Sequence, residues 1–97
     1  MRAIGVDLGS KRIGVALSDS AGTLAVPFEV VQRSKDRARD HRAIAALAAE
    51  AEAEVVVVGV PYSLDGSVGP AARRALAEIR AMRRALWRCR WRPTMSG

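Results

Sequence analysis

The sequence predicts a single α/β domain built on a mixed sheet, and three observations carry that reading. Two short segments of alternating apolar residues meet at a glycine-containing turn near the N-terminus. A run of four valines, at 55–58, follows a stretch of helical periodicity. A second helical stretch follows a loop rich in glycine and proline. An antiparallel beginning, then a helix leading into a wholly apolar strand, marks a sheet that passes from antiparallel to parallel pairing.

In the first segment Ile4, Val6 and Leu8 alternate with Gly5 and Asp7. In the second, Ile13, Val15 and Leu17 alternate with Gly14 and Ala16. That two-residue period predicts a hairpin of half-buried strands. Ser20, Ala21 and Gly22 make the next turn, and residues 24–31 read as a third strand in which Pro27 demands an edge position or a bulge. Ser34 is placed as a helix N-cap, and Asp36 favours the positive end of the helix that follows. This helix covers about residues 36–53, with Ile44, Leu47, Ala48 and Ala51 on its core face. Arg37, Arg39, Arg42, Glu50 and Glu52 fall on its solvated face, and His41, among arginines and aspartates, is expected at the surface. Consecutive valines point alternately up and down, so both faces of the 55–58 strand are expected to be buried. Residues 61–70 form a loop in which Tyr62 is packed or half-exposed. Pro70 suits the first position of a second helix, and Ala72, Ala75, Leu76, Ile79, Met82 and Leu86 recur behind it at helical spacing.

Ninety-seven residues allow one small domain. Aromatics make up only 4% of the chain, so the core must come from Val, Ile, Leu and Ala. No apolar run approaches the ~18 residues of a membrane span, and the first residues enter a strand with no signal-like region; a cytoplasmic location is expected. Cys89, the single cysteine, has no disulfide partner and no metal-ligand spacing. The net charge of +6 invites a nucleic-acid partner, but its distribution is uneven. The first 79 residues carry all ten acidic side chains and ten of the sixteen basic ones, so the whole excess lies in the arginines from Arg80 onward.

Chemistry concentrates at residues 7–12. Asp7 is a carboxylate inside an apolar strand, a costly placement unless its charge is offset. Gly9 lets the chain turn tightly and a ligand approach, and Lys11 and Arg12 add positive charge beside the turn. An acid flanked by a turn glycine and two cations suits a place where a metal ion and a phosphate meet.

The run Gly5-Val6-Asp7-Leu8-Gly9-Ser10-Lys11-Arg12-Ile13-Gly14-Val15-Ala16-Leu17-Ser18-Asp19 resembles the signature start of the YqgF family, also called RuvX, of Holliday-junction resolvases and pre-16S rRNA nucleases. Val57-Val58-Gly59-Val60-Pro61, followed by Asp65-Gly66-Ser67 and Gly69-Pro70, is similar to that family's fourth-strand motif and its loop. The resemblance covers about residues 1–86, which would be an RNase H-like nuclease domain, leaving 87–97 as an Arg/Trp-rich tail. The element order agrees with an RNase H-like mixed sheet, incomplete on its C-terminal side. The resemblance implies metal-dependent phosphodiester hydrolysis of precursor rRNA or branched DNA in bacterial cytoplasm. It assigns Asp7 as the first catalytic, metal-holding acid, with Mg²⁺ or Mn²⁺ as cofactor. Lys11 and Arg12 would contact backbone phosphates, and Gly9, Gly14, Gly59, Asp65, Gly66 and Ser67 would shape turns at the site.

The chain departs from the family after Met82. The acid-rich end of the fifth strand and a later helix with a further aspartate have no counterpart, and Asp19 and Asp65 are the only other motif acids. One aspartate is too few for two metal ions, so the chain is expected to be catalytically incomplete. Residues 90–97 can be encoded by a string whose reading two nucleotides later gives V-E-T-Y-D-E-R, a fifth strand of the family's kind; a frameshifted or truncated C-terminus is the expectation. The missing strand would leave residues 55–58 on an uncovered sheet edge and favour homo-oligomers. Two other readings stand beside the nuclease. One is the phosphate-binding start of an actin, sugar-kinase or Hsp70-type ATPase, which needs several hundred residues and lacks the Asp65-Gly66-Ser67 loop. The other is a non-catalytic RNA-binding remnant acting through Trp87, Trp91 and the tail arginines.

Overall fold

The computed structural model describes residues 2–19, 25–86 and 89–95, with residues 19, 25 and 90–95 described by their backbone alone. In chain order they form β1 (Arg2–Leu8), β2 (Arg12–Asp19), β3 (Ala25–Gln32), α1 (Arg37–Glu50), β4 (Val55–Val60), α2 (Pro70–Ala85) and β5 (Arg90–Met95). The sheet order is β3-β2-β1-β4-β5. The first three strands pair antiparallel, and β4 joins β1, and β5 joins β4, in parallel. This is the switch from antiparallel to parallel that the sequence pattern predicts.

Register decides which side chains share a face. Val6 lies opposite Val15 on β2 and Val58 on β4, and Ile4 opposite Leu17 and Val56. These residues, with Ile13 and Val60, meet Ile44 and Ala48 of α1 and Ala72, Ile79 and Met82 of α2 in one aliphatic core. Both helices lie on that face. Each connects parallel strands, and both connections move the same way across the sheet, so the usual right-handed crossover stacks them on one side. Gly5, Asp7, Gly14, Ala16, Val57 and Gly59 occupy the opposite face, where no described helix lies. The expectation that both faces of β4 are buried therefore holds only in part: Val56, Val58 and Val60 are fully buried and Val55, on the other face, is buried too, whereas Val57 is only partly covered.

Pro27 satisfies both of its sequence alternatives. It sits on edge strand β3, beside an irregularity where Pro27 pairs with Ala16 and Glu29 with Val15. Leu24 and the turn at 20–22 lie outside the described residues. The cap of α1 is Asp36, whose carboxylate accepts the backbone N–H groups of Ala38 and Arg39. Ser34 is instead tied to Asp40, donating both its backbone N–H and its hydroxyl to that buried carboxylate. Pro70 opens α2 as expected.

The expected uncovered edge of β4 is also corrected. Residues 55–60 pair along their whole length with 90–95, so β5 covers them and the structural ground for association through that edge is removed. Backbone hydrogen bonding reads little of side-chain identity, and Pro93 is tolerable because β5 is itself an edge.

Candidate functional site

Asp7 is the next-to-last residue of β1 and points to the open face of the sheet. Its cross-strand partner is Gly14, whose missing side chain leaves the space beside the carboxylate free: a Cβ built there would touch only the Asp7 Cβ, at 3.8 Å. Asp7 is exposed and makes no side-chain hydrogen bond or ion pair among the described residues. Water, rather than a protein partner, therefore carries the cost of its charge within an apolar strand. A shallow cleft of about 390 Å³ surrounds it, lined also by Gly5, Gly14, Ala16, Gly59 and Glu29. Glu29 was invisible as a site residue in the sequence; it lines the cleft from edge strand β3, where the irregular register pairs it with Val15.

The turn after Asp7 is closely held. The Gly9 N–H donates to the Asp7 carbonyl at 3.1 Å. A side chain at position 9 would place its Cβ 2.5 Å from the Arg12 carbonyl oxygen, so glycine is required by packing. Arg33, just past β3, holds both arms of the turn: its backbone N–H donates to the Lys11 carbonyl and its Nε to the Gly9 carbonyl, each at 3.0 Å. Its terminal nitrogens form a two-pronged ion pair with Glu78 of α2. His41 Nε2 lies 2.8 Å from the same carboxylate. The expected surface position of His41 is thus corrected. It is 4% exposed, because α1 turns it inward onto the acid of its neighbour. Burial would raise the Glu78 carboxyl, but hydrogen bonds from Arg33 and His41, together with their charges, hold it below its ordinary value. The hydrogen bond to Glu78 raises the Arg33 guanidinium against the opposing effect of burial. No local pattern marks this triad in the sequence, because Glu78 lies 37 residues from His41 and 45 from Arg33.

Lys11 and Arg12 are exposed at the turn, beside Asp7 in the chain. Gly59 lines the Asp7 cleft from β4. Asp65, Gly66 and Ser67 form a separate exposed turn, in which Asp65 accepts the Ser67 N–H at 2.9 Å and Gly66 takes a positive φ of 83°. Hydrogen bonds from the Ser67 side chain and backbone hold the Asp65 carboxyl below its ordinary value. Asp19 pairs with Arg2 at the far end of the hairpin from Asp7. Tyr62 packs partly against the core, and Cys89, half-buried, has its thiol pushed up by burial. No group of three His, Cys, Asp or Glu side chains that could hold a metal ion occurs among the described residues. Asp7 and Glu29 share a cleft, but the described donors do not make up a two-metal cage.

A family model described as RuvX, Holliday junction resolvase, matches residues 1–91. A protein of Mycobacterium sp. (strain KMS) named "Putative pre-16S rRNA nuclease" is 47% identical over 85 residues, 88% of this chain and 50% of that protein. A protein of the same name from Rhodococcus opacus (strain B4) is 51% identical over 86 residues, 86% of this chain and 48% of that one. The chain thus spans about half the length of these curated relatives. Among solved structures, Thermus thermophilus RuvC in complex with Holliday junction substrate matches with a TM-score of 0.61 at 16% identity, covering 98% of this chain and 64% of that one. RuvC alone matches equally well in fold. With a fold that matches RuvC over nearly its whole length and a family model spanning both the Asp7 hairpin and the β4 loop, this chain belongs to the RuvX family and has an RNase H-like fold.

Proposed function

We propose that this domain is part of a nuclease that hydrolyses phosphodiester bonds of structured nucleic acid, with precursor 16S rRNA as the first substrate and branched DNA as the second. The observation that carries the reading is Asp7: a carboxylate without a partner among the described residues, at the end of the central strand, on an open face, directly before a braced turn. The relatives named as pre-16S rRNA nucleases supply the substrate class. Asp7 would be one ligand of a Mg²⁺ or Mn²⁺ ion, which polarises the phosphate and activates water when bound. Lys11 and Arg12 would hold flanking phosphates, and the work would take place in bacterial cytoplasm. No helix among the described residues is long and apolar enough to cross a membrane.

We also read residues 87–97 as out of the family's frame. In the alternative reading V-E-T-Y-D-E-R, the aspartate and second glutamate fall at the C-terminal end of β5, the same end of the sheet at which β1 presents Asp7. The chain of 97 residues should then show background cleavage of precursor rRNA with Mn²⁺ or Mg²⁺. A chain with that frame restored and continued to the relatives' length should cleave, and Asp7→Asn in it should abolish cleavage without lowering Tm. Robust cleavage by the present chain, lost on Asp7→Asn, would show that the carboxylates named here suffice and overturn the incomplete-site reading.

A further inference from the structure

The two helices enclose a groove of about 630 Å³ whose walls carry Arg37 and Arg42 from α1 and Arg80 and Arg84 from α2. Its only carboxylate is Glu78, which is 5% exposed and already engaged by Arg33 and His41. None of the four arginines has a carboxylate partner among the described residues. Arg37 also lines a second cleft, of about 460 Å³, which reaches Gly9 and Ser10 at the Asp7 turn and adds Arg74. A basic track therefore runs from the turn beside Asp7, over the end of the sheet and along the helix pair.

We propose that this track binds the sugar-phosphate backbone of one nucleic-acid strand leading away from the Asp7 site. Guanidinium groups gathered in a groove with no counter-charge repel one another, and a polyanion removes that repulsion. Arg80 and Arg84 are one helical turn apart, about 6 Å along the axis, comparable to the step between neighbouring phosphates of an extended strand. Among the described residues the groove's lining includes no Phe, Tyr or Trp, so the contacts these residues offer are to phosphates and independent of base sequence. A membrane surface fits less well: among the described residues the exposed large hydrophobic ones, Val26, Val30, Leu64 and Val68, lie on β3 and in the loop before α2, and none lines the groove. The proposal deepens the nuclease reading and rests on it for the choice of nucleic acid as ligand.

The test is fluorescence anisotropy with a short labelled single-stranded RNA at a series of salt concentrations, in EDTA. Replacing Arg37, Arg42, Arg80 and Arg84 together by Gln should reduce the slope of log affinity against log salt by about 3, since each phosphate contact on a single strand contributes roughly 0.7. A charge-matched control replacing Arg2, Lys35, Arg39 and Arg73, exposed residues outside the groove, should change the slope by less than about 1. Equal losses in the two variants would mean diffuse net-charge attraction and overturn the proposal. In the unmodified chain, amide shifts on adding the RNA should map to residues 37–42 and 77–85; shifts confined to 90–97 would assign binding to the tail and overturn it as well. Phosphatidylserine vesicles that displace the RNA at lower charge concentration than competing RNA would identify a membrane surface instead. Mn²⁺ broadening of the Asp7 and Gly9 amides tests the nuclease reading alone, so either idea can fail while the other stands.

Discussion

At the scale of single residues, Asp7 and Gly9 divide function from architecture. Asp7 is exposed and has no partner among the described residues, so Asp7→Asn should leave Tm within a degree or two while removing Mn²⁺-induced broadening of its neighbours' amides. A fall of several degrees would show that the carboxylate has a structural role. Gly9→Ala should behave in the opposite way. A methyl group 2.5 Å from the Arg12 carbonyl oxygen must displace backbone. The expected cost is about 2 kcal/mol, roughly 10 °C in Tm for a domain of this size, and thermal melts of the two variants side by side check the contrast. Asp7 was legible in the sequence because a charge interrupting an alternating apolar strand needs an explanation. Glu29 was not, because an acid on an edge strand needs none.

At the scale of elements, β3, α1 and α2 are joined by Glu78. A carboxylate whose folded pKa lies below its unfolded value adds stability that is fully present above the unfolded value, about 4.3, and lost as pH falls through the folded one. The folded pKa of Glu78 is lowered by Arg33 and His41, so its contribution should disappear on acidification below about pH 4.3. Glu78→Gln should cost about 3 kcal/mol at neutral pH, because it leaves Arg33 and His41 without their anion. Its Tm should then converge on that of the unmodified chain in acid; a constant gap from pH 7 to pH 3 would contradict the account. The same triad explains the misplacement of His41 from sequence. A histidine among charged residues on a helix has a surface pattern, and only the packing of α2 against α1 supplies the buried acid that accepts it. Asp36 shows a milder case. Ser34 and Asp36 are both good caps by type, and the choice fell to Asp36 because Asp40 claims the Ser34 hydroxyl.

For the whole molecule, the parallel addition of β5 governs the behaviour of β4. Deleting residues 87–97 should return Val55–Val58 to an edge and drive self-association, seen by light scattering as a shift from monomer to dimers or larger species. A truncated chain that stays monomeric at the same concentration would show that the edge tolerates exposure. The sequence alone determined the element order as far as α2, the strand alternation, the α2 stripe and the prominence of Asp7, because all four are local patterns of residue type and spacing. Its order of elements also carried the switch from antiparallel to parallel pairing between the hairpin and β4, though not the addition of β5. Only the tertiary structure decided that both helices share one face and leave Asp7 in the open, that Arg33 braces the Asp7 turn through Glu78, and that arginines from two helices converge on one groove. Each of these depends on which distant segments meet, and register and packing between segments tens of residues apart leave no periodic trace in the chain.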